Sequence, residues 1–165
     1  MLEKHERIKF DQDFVKSKKF ASDLRERYNV DLVKLFELVS EKEILIPVTV
    51  FNPKLSALET VSKYLHENLG LSFKKIAELM NRSEKTIWQA YNFSINKFRR
   101  RLIVKETKYL IPISVFSDRK YSNLECVVSF VKDQYNLKFS EIGSLLHRDQ
   151  RTVWTVYDRA RKKRK

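Results

Sequence analysis

The strongest constraint on this chain is that it states one pattern twice. Leu45-Ile46-Pro47-Val48-Thr49-Val50-Phe51 returns as Leu110-Ile111-Pro112-Ile113-Ser114-Val115-Phe116, and Lys85-Thr86-Ile87-Trp88-Gln89-Ala90-Tyr91 returns as Arg151-Thr152-Val153-Trp154-Thr155-Val156-Tyr157. The offset is 65 at the Pro-containing segment and 66 at the Trp-containing one, so one residue was gained between Phe116 and Leu124. A gain there implies a surface loop. Two copies are too few for a solenoid and read as two tandem modules, each an independent statement of the same structure.

Composition then selects the class. With two Gly and three Pro in 165 residues, the chain lacks the turn residues that a β-sandwich or barrel needs. A mainly α protein follows, with three helices per module, short extended strips around Pro47 and Pro112, and a helical N-terminal extension. The expected organisation is an extension over 1–43, a first module over 44–98, and a linker plus second module over 99–165. No apolar run approaches the roughly 18 residues of a membrane span, and the charged start Met1-Leu2-Glu3-Lys4-His5 lacks a signal-peptide core. A soluble cytoplasmic protein, associated with the nucleoid, is expected. The single Cys126 has no partner for a disulfide or a zinc site and reads as a core thiol.

The net charge of +13 is unevenly placed. Residues 1–43 carry ten Lys/Arg and ten Asp/Glu, residues 44–98 seven and four, and residues 99–165 seventeen and seven. The excess is concentrated in the last segment, most densely in Arg159-Ala160-Arg161-Lys162-Lys163-Arg164-Lys165. Such asymmetry points towards a polyanion. Because Arg99-Arg100-Arg101 and the C-terminal cluster follow the same part of their repeats, nucleic acid is favoured over a merely solubilising tail. No apolar face beside the tail suits insertion into a membrane.

Each copy can be read through its twin. Ser56-Ala57-Leu58-Glu59 and Ser122-Asn123-Leu124-Glu125 fit the capping box and predict helix starts. These helices should end near Asn68-Leu69-Gly70 and Tyr135-Asn136, since Gly and Asn best tolerate the left-handed position. A short helix comes next, with the buried stripe Phe73, Ile76, Ala77, Met80 or Phe139, Ile142, Gly143, Leu146. Ala77 and Gly143 supply the small side chain that two steeply crossing helices need at closest approach. The turn is Asn81-Arg82-Ser83 or His147-Arg148-Asp149, in which Asn81 and His147 suit a positive φ and Ser83 and Asp149 are good N-caps. Ile87, Tyr91, Ile95 and Phe98, or Val153, Tyr157 and Ala160, mark the buried face of the last helix.

Phe139-Ser140-Glu141-Ile142-Gly143, then Leu145-Leu146, Arg151-Thr152-Val153 and Arg159-Ala160-Arg161-Lys162-Lys163 resembles the C-terminal, promoter-reading helix-turn-helix of bacterial sigma factors. Copy one keeps Lys75-Ile76-Ala77, Leu79-Met80 and Thr86-Ile87 but has Phe93-Ser94 where Arg-Ala is usual. The resemblance covers about thirty residues per module and implies a helix-turn-helix fold and binding of double-stranded DNA in transcription regulation. Nothing in residues 1–43 resembles the sigma domain that grips polymerase.

On a wheel of about 100° per residue, Lys85, Gln89 and Asn92 point outward in copy one, and Arg151, Thr155 and Arg159 in copy two. In a helix-turn-helix the early exposed positions of the second helix face base edges in the major groove. Arg suits guanine, Gln suits adenine, and Thr suits the thymine methyl. Thr86 and Thr152 suit a phosphate near the helix N-terminus. Arg82 and Arg148 read as phosphate contacts or solvated side chains, and Lys162 and Lys163 extend the basic surface. Trp88 and Trp154 are expected to pack at the margin of the buried stripe against the first helix. Because the outward residues differ, the two helices should read unlike half-sites in a site without palindromic symmetry, spaced by the linker from about Arg99 to Leu110 rather than by a two-fold axis. Module two, with the greater charge, should supply most of the affinity.

The remaining segments are less specific. Phe14 to Tyr28 and Val33 to Val39 have helix-compatible spacing, and Val33 to Val39 aligns with Phe98 to Val104, suggesting a helix before each strip. The strips alternate like short strands, and whether they pair is open. There is no Gly-rich phosphate loop, no nucleophile-base pair and no ligand spacing among His5, His66 and His147, so no catalytic residue, metal or cofactor is expected. The rival readings are a DNA-processing protein, an architectural chromatin protein of little specificity, and a module that binds a protein partner such as RNA polymerase, for which residues 1–43 are the available segment.

Overall fold

The computed structural model describes residues 22–23 and 43–164. Ser22 and Asp23 are helical; the helices expected over Phe14 to Tyr28 and Val33 to Val39 otherwise lie outside the described residues. The chain divides into two compact units between Lys42 and Glu43.

The second unit, Glu43–Lys165, is mainly helical. In order it contains β1 (Leu45–Pro47), a 3-10 turn (Val48–Val50), α1 (Ala57–Lys63) continued by a π-turn (Tyr64–Asn68), α2 (Phe73–Leu79) and α3 (Glu84–Lys97). The same order repeats as β2 (Leu110–Pro112), a 3-10 turn (Ile113–Phe116), α4 (Asn123–Tyr135), α5 (Phe139–Leu146) and α6 (Gln150–Arg164). Both capping boxes form: Glu59 N donates to Ser56 Oγ at 3.2 Å and Ser56 N to Glu59 Oε2 at 2.9 Å, with 3.2 and 2.8 Å for Ser122 and Glu125. The first helices are followed by left-handed residues, Gly70 at φ 70° and Asn136 at φ 49°.

The tight turn between the second and third helix of each copy also follows local rules. Asn81 and His147 take φ of 49° and 52°. Arg82 N donates to Ala77 O at 2.9 Å and Arg148 N to Gly143 O at 2.8 Å. A Cβ built on Gly143 would meet Arg148 O at 2.7 Å, so the small residue is required by the returning backbone. Ser83 Oγ accepts from Thr86 N at 3.2 Å, and Asp149 Oδ1 from Arg151 N at 2.8 Å, which start α3 and α6.

The link between the first helix and the next is repeated in role but not in chemistry. His66 Nδ1 donates to Leu71 O at 2.8 Å and stacks on Phe73 with ring centroids 4.2 Å apart. At the equivalent positions Lys132 Nζ donates to Leu137 O at 2.8 Å and lies 5.2 Å from the centre of the Phe139 ring. The third helix is tied to the first by Lys97 to Glu59 and by Lys163 to Glu125, each 2.6 Å. The capping-box glutamates thus serve two helices.

The strips do pair. β1 and β2 run antiparallel with Leu45 opposite Pro112, Ile46 opposite Ile111 and Pro47 opposite Leu110. Ile46 and Ile111 are equivalent residues of the repeat, so a local two-fold axis passes through their pair. The flanking bonds obey it: Val48 N donates to Tyr109 O at 3.0 Å and Ile113 N to Ile44 O at 2.9 Å. The same relation recurs as α1 packs on its equivalent α4, α5 on the first 3-10 turn and α2 on the second. One core, from Ile46 and Val61 through Ile76 and Ile87 to Val127, Ile142 and Val153, runs through both copies. This symmetry corrects the expectation that the linker alone spaces the modules. A strand ladder and a shared core hold them, with Ile46 and Ile111 fully buried at the centre of the ladder.

The segment 98–104 is not helical, contrary to the alignment with Val33 to Val39. It is extended across copy one, where Leu102 is buried and its carbonyl accepts from Asn68 Nδ2 at 3.1 Å. Arg101 donates to the Glu67 carbonyl, which satisfies backbone at the end of the π-turn.

Candidate nucleic-acid interface

The outward faces of α3 and α6 are built from the caps upward. Ser83 and Asp149 set where each helix starts, Ile87 and Val153 pin its inner face, and the Trp one position beyond each is left in solvent. Lys85, Gln89, Arg151, Thr152 and Arg159 are exposed. Thr155 is half-buried and its Oγ1 donates back to Arg151 O at 2.8 Å, which satisfies the hydroxyl within the helix. Thr86 is half-buried and its hydroxyl lies 2.7 Å from Ser83 Oγ, inside the cap. Asn92 departs from its expected outward position: it is half-buried, and its Nδ2 is enclosed without a hydrogen-bond partner.

Both turn arginines are used differently from the expected phosphate contact. Arg148 Nη2 donates to Leu55 O at 2.6 Å and Nη1 to Pro53 O at 3.1 Å, reaching from copy two into the loop that precedes α1. Arg82 faces the corresponding region of copy two, where its neighbour Asn81 donates from Nδ2 to Ser117 O at 3.2 Å. The Nε and Nη2 atoms of Arg82 are buried without partners. The asymmetry has a reason in the sequence, since the extra residue between Phe116 and Leu124 falls in the loop on Arg82's side. Burial pushes the Cys126 thiol up to about 11, while the nearby Arg82 pulls it the other way. Cys126 is the core thiol expected of it.

The basic C-terminus is the last turn of α6 rather than a loose tail. Lys162 and Arg161 bond to Asp158 at 2.7 and 3.0 Å, and Arg164 to Asp133 at 2.6 Å. Lys163, expected on the DNA surface, is instead partnered by Glu125. Burial alone would raise the Glu125 carboxyl, but the Lys163 ammonium and the Ser122 cap outweigh it and hold it below the ordinary value. Hydrogen bonds from Lys162 and Arg161 hold Asp158 low as well. The pairs that Arg161 and Lys162 make with Asp158 leave both cations exposed, and pairs of this kind are weak and exchange readily for a stronger anion; cations in the last turn also complement the helix dipole.

Trp88 and Trp154 contradict their expected packing. They are 53% and 55% exposed, at equivalent positions, and Phe93 on the far side of the α3 face is 57% exposed. Each indole lies one position beyond a buried residue, Ile87 or Val153. The first helix, already bridged to the end of the third by Glu59 and Glu125, does not reach out to cover them. The repetition of an indole one position after a buried residue was the available signal. Each face therefore presents a polar centre, Lys85 and Gln89 or Arg151 and Thr155, flanked by a flat aromatic ring.

Among the described residues no cluster of three His, Cys, Asp or Glu side chains could hold a metal, and no helix is long and apolar enough to cross a membrane. Comparison with protein-family models, with curated proteins and with solved structures found no match to this chain.

Proposed function

We propose that the chain is a sequence-preferring double-stranded DNA-binding protein and transcription regulator, associated with the nucleoid, with α2–α3 and α5–α6 acting as two helix-turn-helix units. The observation that carries this reading is the duplicated exposed face on the third helix, in which Lys85 and Gln89, and Arg151, Thr155 and Arg159, stand beside an exposed Trp. Cationic and amide side chains at the first exposed positions of such a helix suit phosphates and base edges of the major groove. The Trp rings offer apolar contact to a thymine methyl or a deoxyribose. Residues 99–165 carry seventeen Lys/Arg against seven Asp/Glu, most densely in the run Arg159 to Lys165 of copy two, which favours a polyanion and assigns copy two the larger share of affinity. The resemblance to the promoter-reading domain of sigma factors points the same way.

The test is binding of the full chain to duplex DNA across a salt series. Affinity should fall steeply as salt rises, because counterions are released from each neutralised phosphate. Salt-independent binding, or none, would overturn the proposal in favour of a protein-binding module. Crosslinking to the chromosome then separates regulation from packaging: discrete peaks are expected, and a continuous blanket would indicate an architectural role.

A further inference from the structure

We infer that the chain recognises an inverted pair of unequal half-sites, positioned by an internal pseudo-two-fold axis. This rests on the DNA-binding reading above and fixes the class of duplex that the two faces can engage together.

The relation between two copies of a unit is legible in how they touch. In a two-fold arrangement the contact is isologous: where residue i of one copy meets residue j of the other, the equivalent of j meets the equivalent of i. A head-to-tail arrangement, which would present the recognition helices to direct repeats, uses two different patches and gives no such reciprocity. Two layers here are reciprocal residue for residue, and a third is reciprocal element for element. In the ladder, Leu45 faces Pro112 and Pro47 faces Leu110 about the self-paired Ile46 and Ile111. Beside it, the bonds from Val48 to Tyr109 and from Ile113 to Ile44 exchange equivalents. Further out, each tight turn reaches the loop after the other copy's 3-10 turn, through Arg148 to Pro53 and Leu55 and through Asn81 to Ser117. The helices α1 and α4 pack on each other, again equivalent to equivalent.

A two-fold axis that relates the two copies relates α3 to α6. Duplex DNA has local two-fold axes of its own, because its strands are antiparallel, and a pair of helices so related meets the two strands in opposite senses. The half-sites must then be inverted. They are unequal because Lys85, Gln89, Asn92 and Phe93 stand where copy two has Arg151, Thr155, Asp158 and Arg159. The symmetry of the scaffold is thus that of a homodimer, and the covalent chain has allowed its two reading faces to diverge.

Selection of the full chain on a randomised duplex library tests this. The expected product is two different half-sites in inverted orientation about one centre, and turning one half-site round to make a direct repeat should weaken binding about tenfold or more. A second arm symmetrises the protein: Lys85→Arg, Gln89→Thr, Asn92→Asp and Phe93→Arg together should shift the selected site to a true inverted repeat of the copy-two half-site. Three of the four positions are exposed, so the variant should fold, and circular dichroism verifies it. Enrichment of direct repeats, or of one half-site alone, would overturn the inverted arrangement while leaving DNA binding intact. An unchanged asymmetric site for the folded variant would overturn the assignment of the unequal halves to these four positions. Failure to enrich any duplex at low salt would remove the DNA-binding reading as well.

Discussion

Replacing Arg148 by Met separates a structural strut from a phosphate contact, two roles that a turn arginine could equally have. The guanidinium makes two bonds across the interface between the copies, 2.6 Å to Leu55 O and 3.1 Å to Pro53 O. Hydrogen bonds involving a charged group contribute roughly 1.5–3 kcal/mol each when well shielded. Arg148 is half-exposed, so the lower end applies, and Met retains much of the stem's packing. The loss should be about 2–3 kcal/mol, a fall in Tm of about 10 °C for a domain of this size. Arg82→Met is the internal control: its Nε and Nη2 are buried without partners, and removing unsatisfied polar atoms from a buried site is neutral or stabilising. Urea denaturation followed by circular dichroism at 222 nm measures both. Equal losses from the two variants, or no loss from Arg148→Met, would refute the argument. Unchanged stability with weakened DNA binding would return Arg148 to the DNA surface.

Other changes have defined outcomes. Gly143→Ala places a methyl 2.7 Å from Arg148 O; overpacking costs about 1–3 kcal/mol, helix propensity returns about 0.5–1, and a net loss of about 1–2 kcal/mol should appear in urea titration, with unchanged stability counting against so close a return of the backbone. Trp88→Ala and Trp154→Ala should leave Tm nearly unchanged, since both rings are more than half exposed, yet weaken duplex binding; a large fall in Tm would show that the rings are packed. The Glu125–Lys163 pair is acid-sensitive in a known direction. Because the folded Glu125 carboxyl is held below its ordinary value, its contribution is complete above about pH 4.5 and is lost as pH falls through the lower folded value. Lys163→Met should therefore cost about 0.5–1 kcal/mol at neutral pH, with the gap to the parent protein closing as the pH falls below the ordinary carboxylate range; a gap independent of pH would mean that the stem, not the charge, carries the effect.

Much of this protein is legible without coordinates because the deciding interactions are local. A Ser with a Glu three residues on starts α1 and α4, Asn81 and His147 adopt the positive φ that their short polar side chains tolerate, and Gly143 stands where the chain returns on itself. Each depends on neighbours within about six residues, and duplication of the pattern removes the ambiguity that a single copy would leave. Partners distant along the chain were a different matter. The carbonyls that engage Arg148 lie 93 and 95 residues before it, so its sequence neighbourhood gave no means of telling a strut from a phosphate contact. Lys163 reads as one more cation in a basic run until folding brings Glu125 to it. The wheel placed Trp88 and Trp154 at the edge of a stripe, but whether an edge is covered depends on the neighbouring helix. The register of β1 on β2 belongs to the same class. Sequence alone established that there are two equal units; burial of Ile46 and Ile111 against each other, possible only in the tertiary structure, decided that they face each other about an axis.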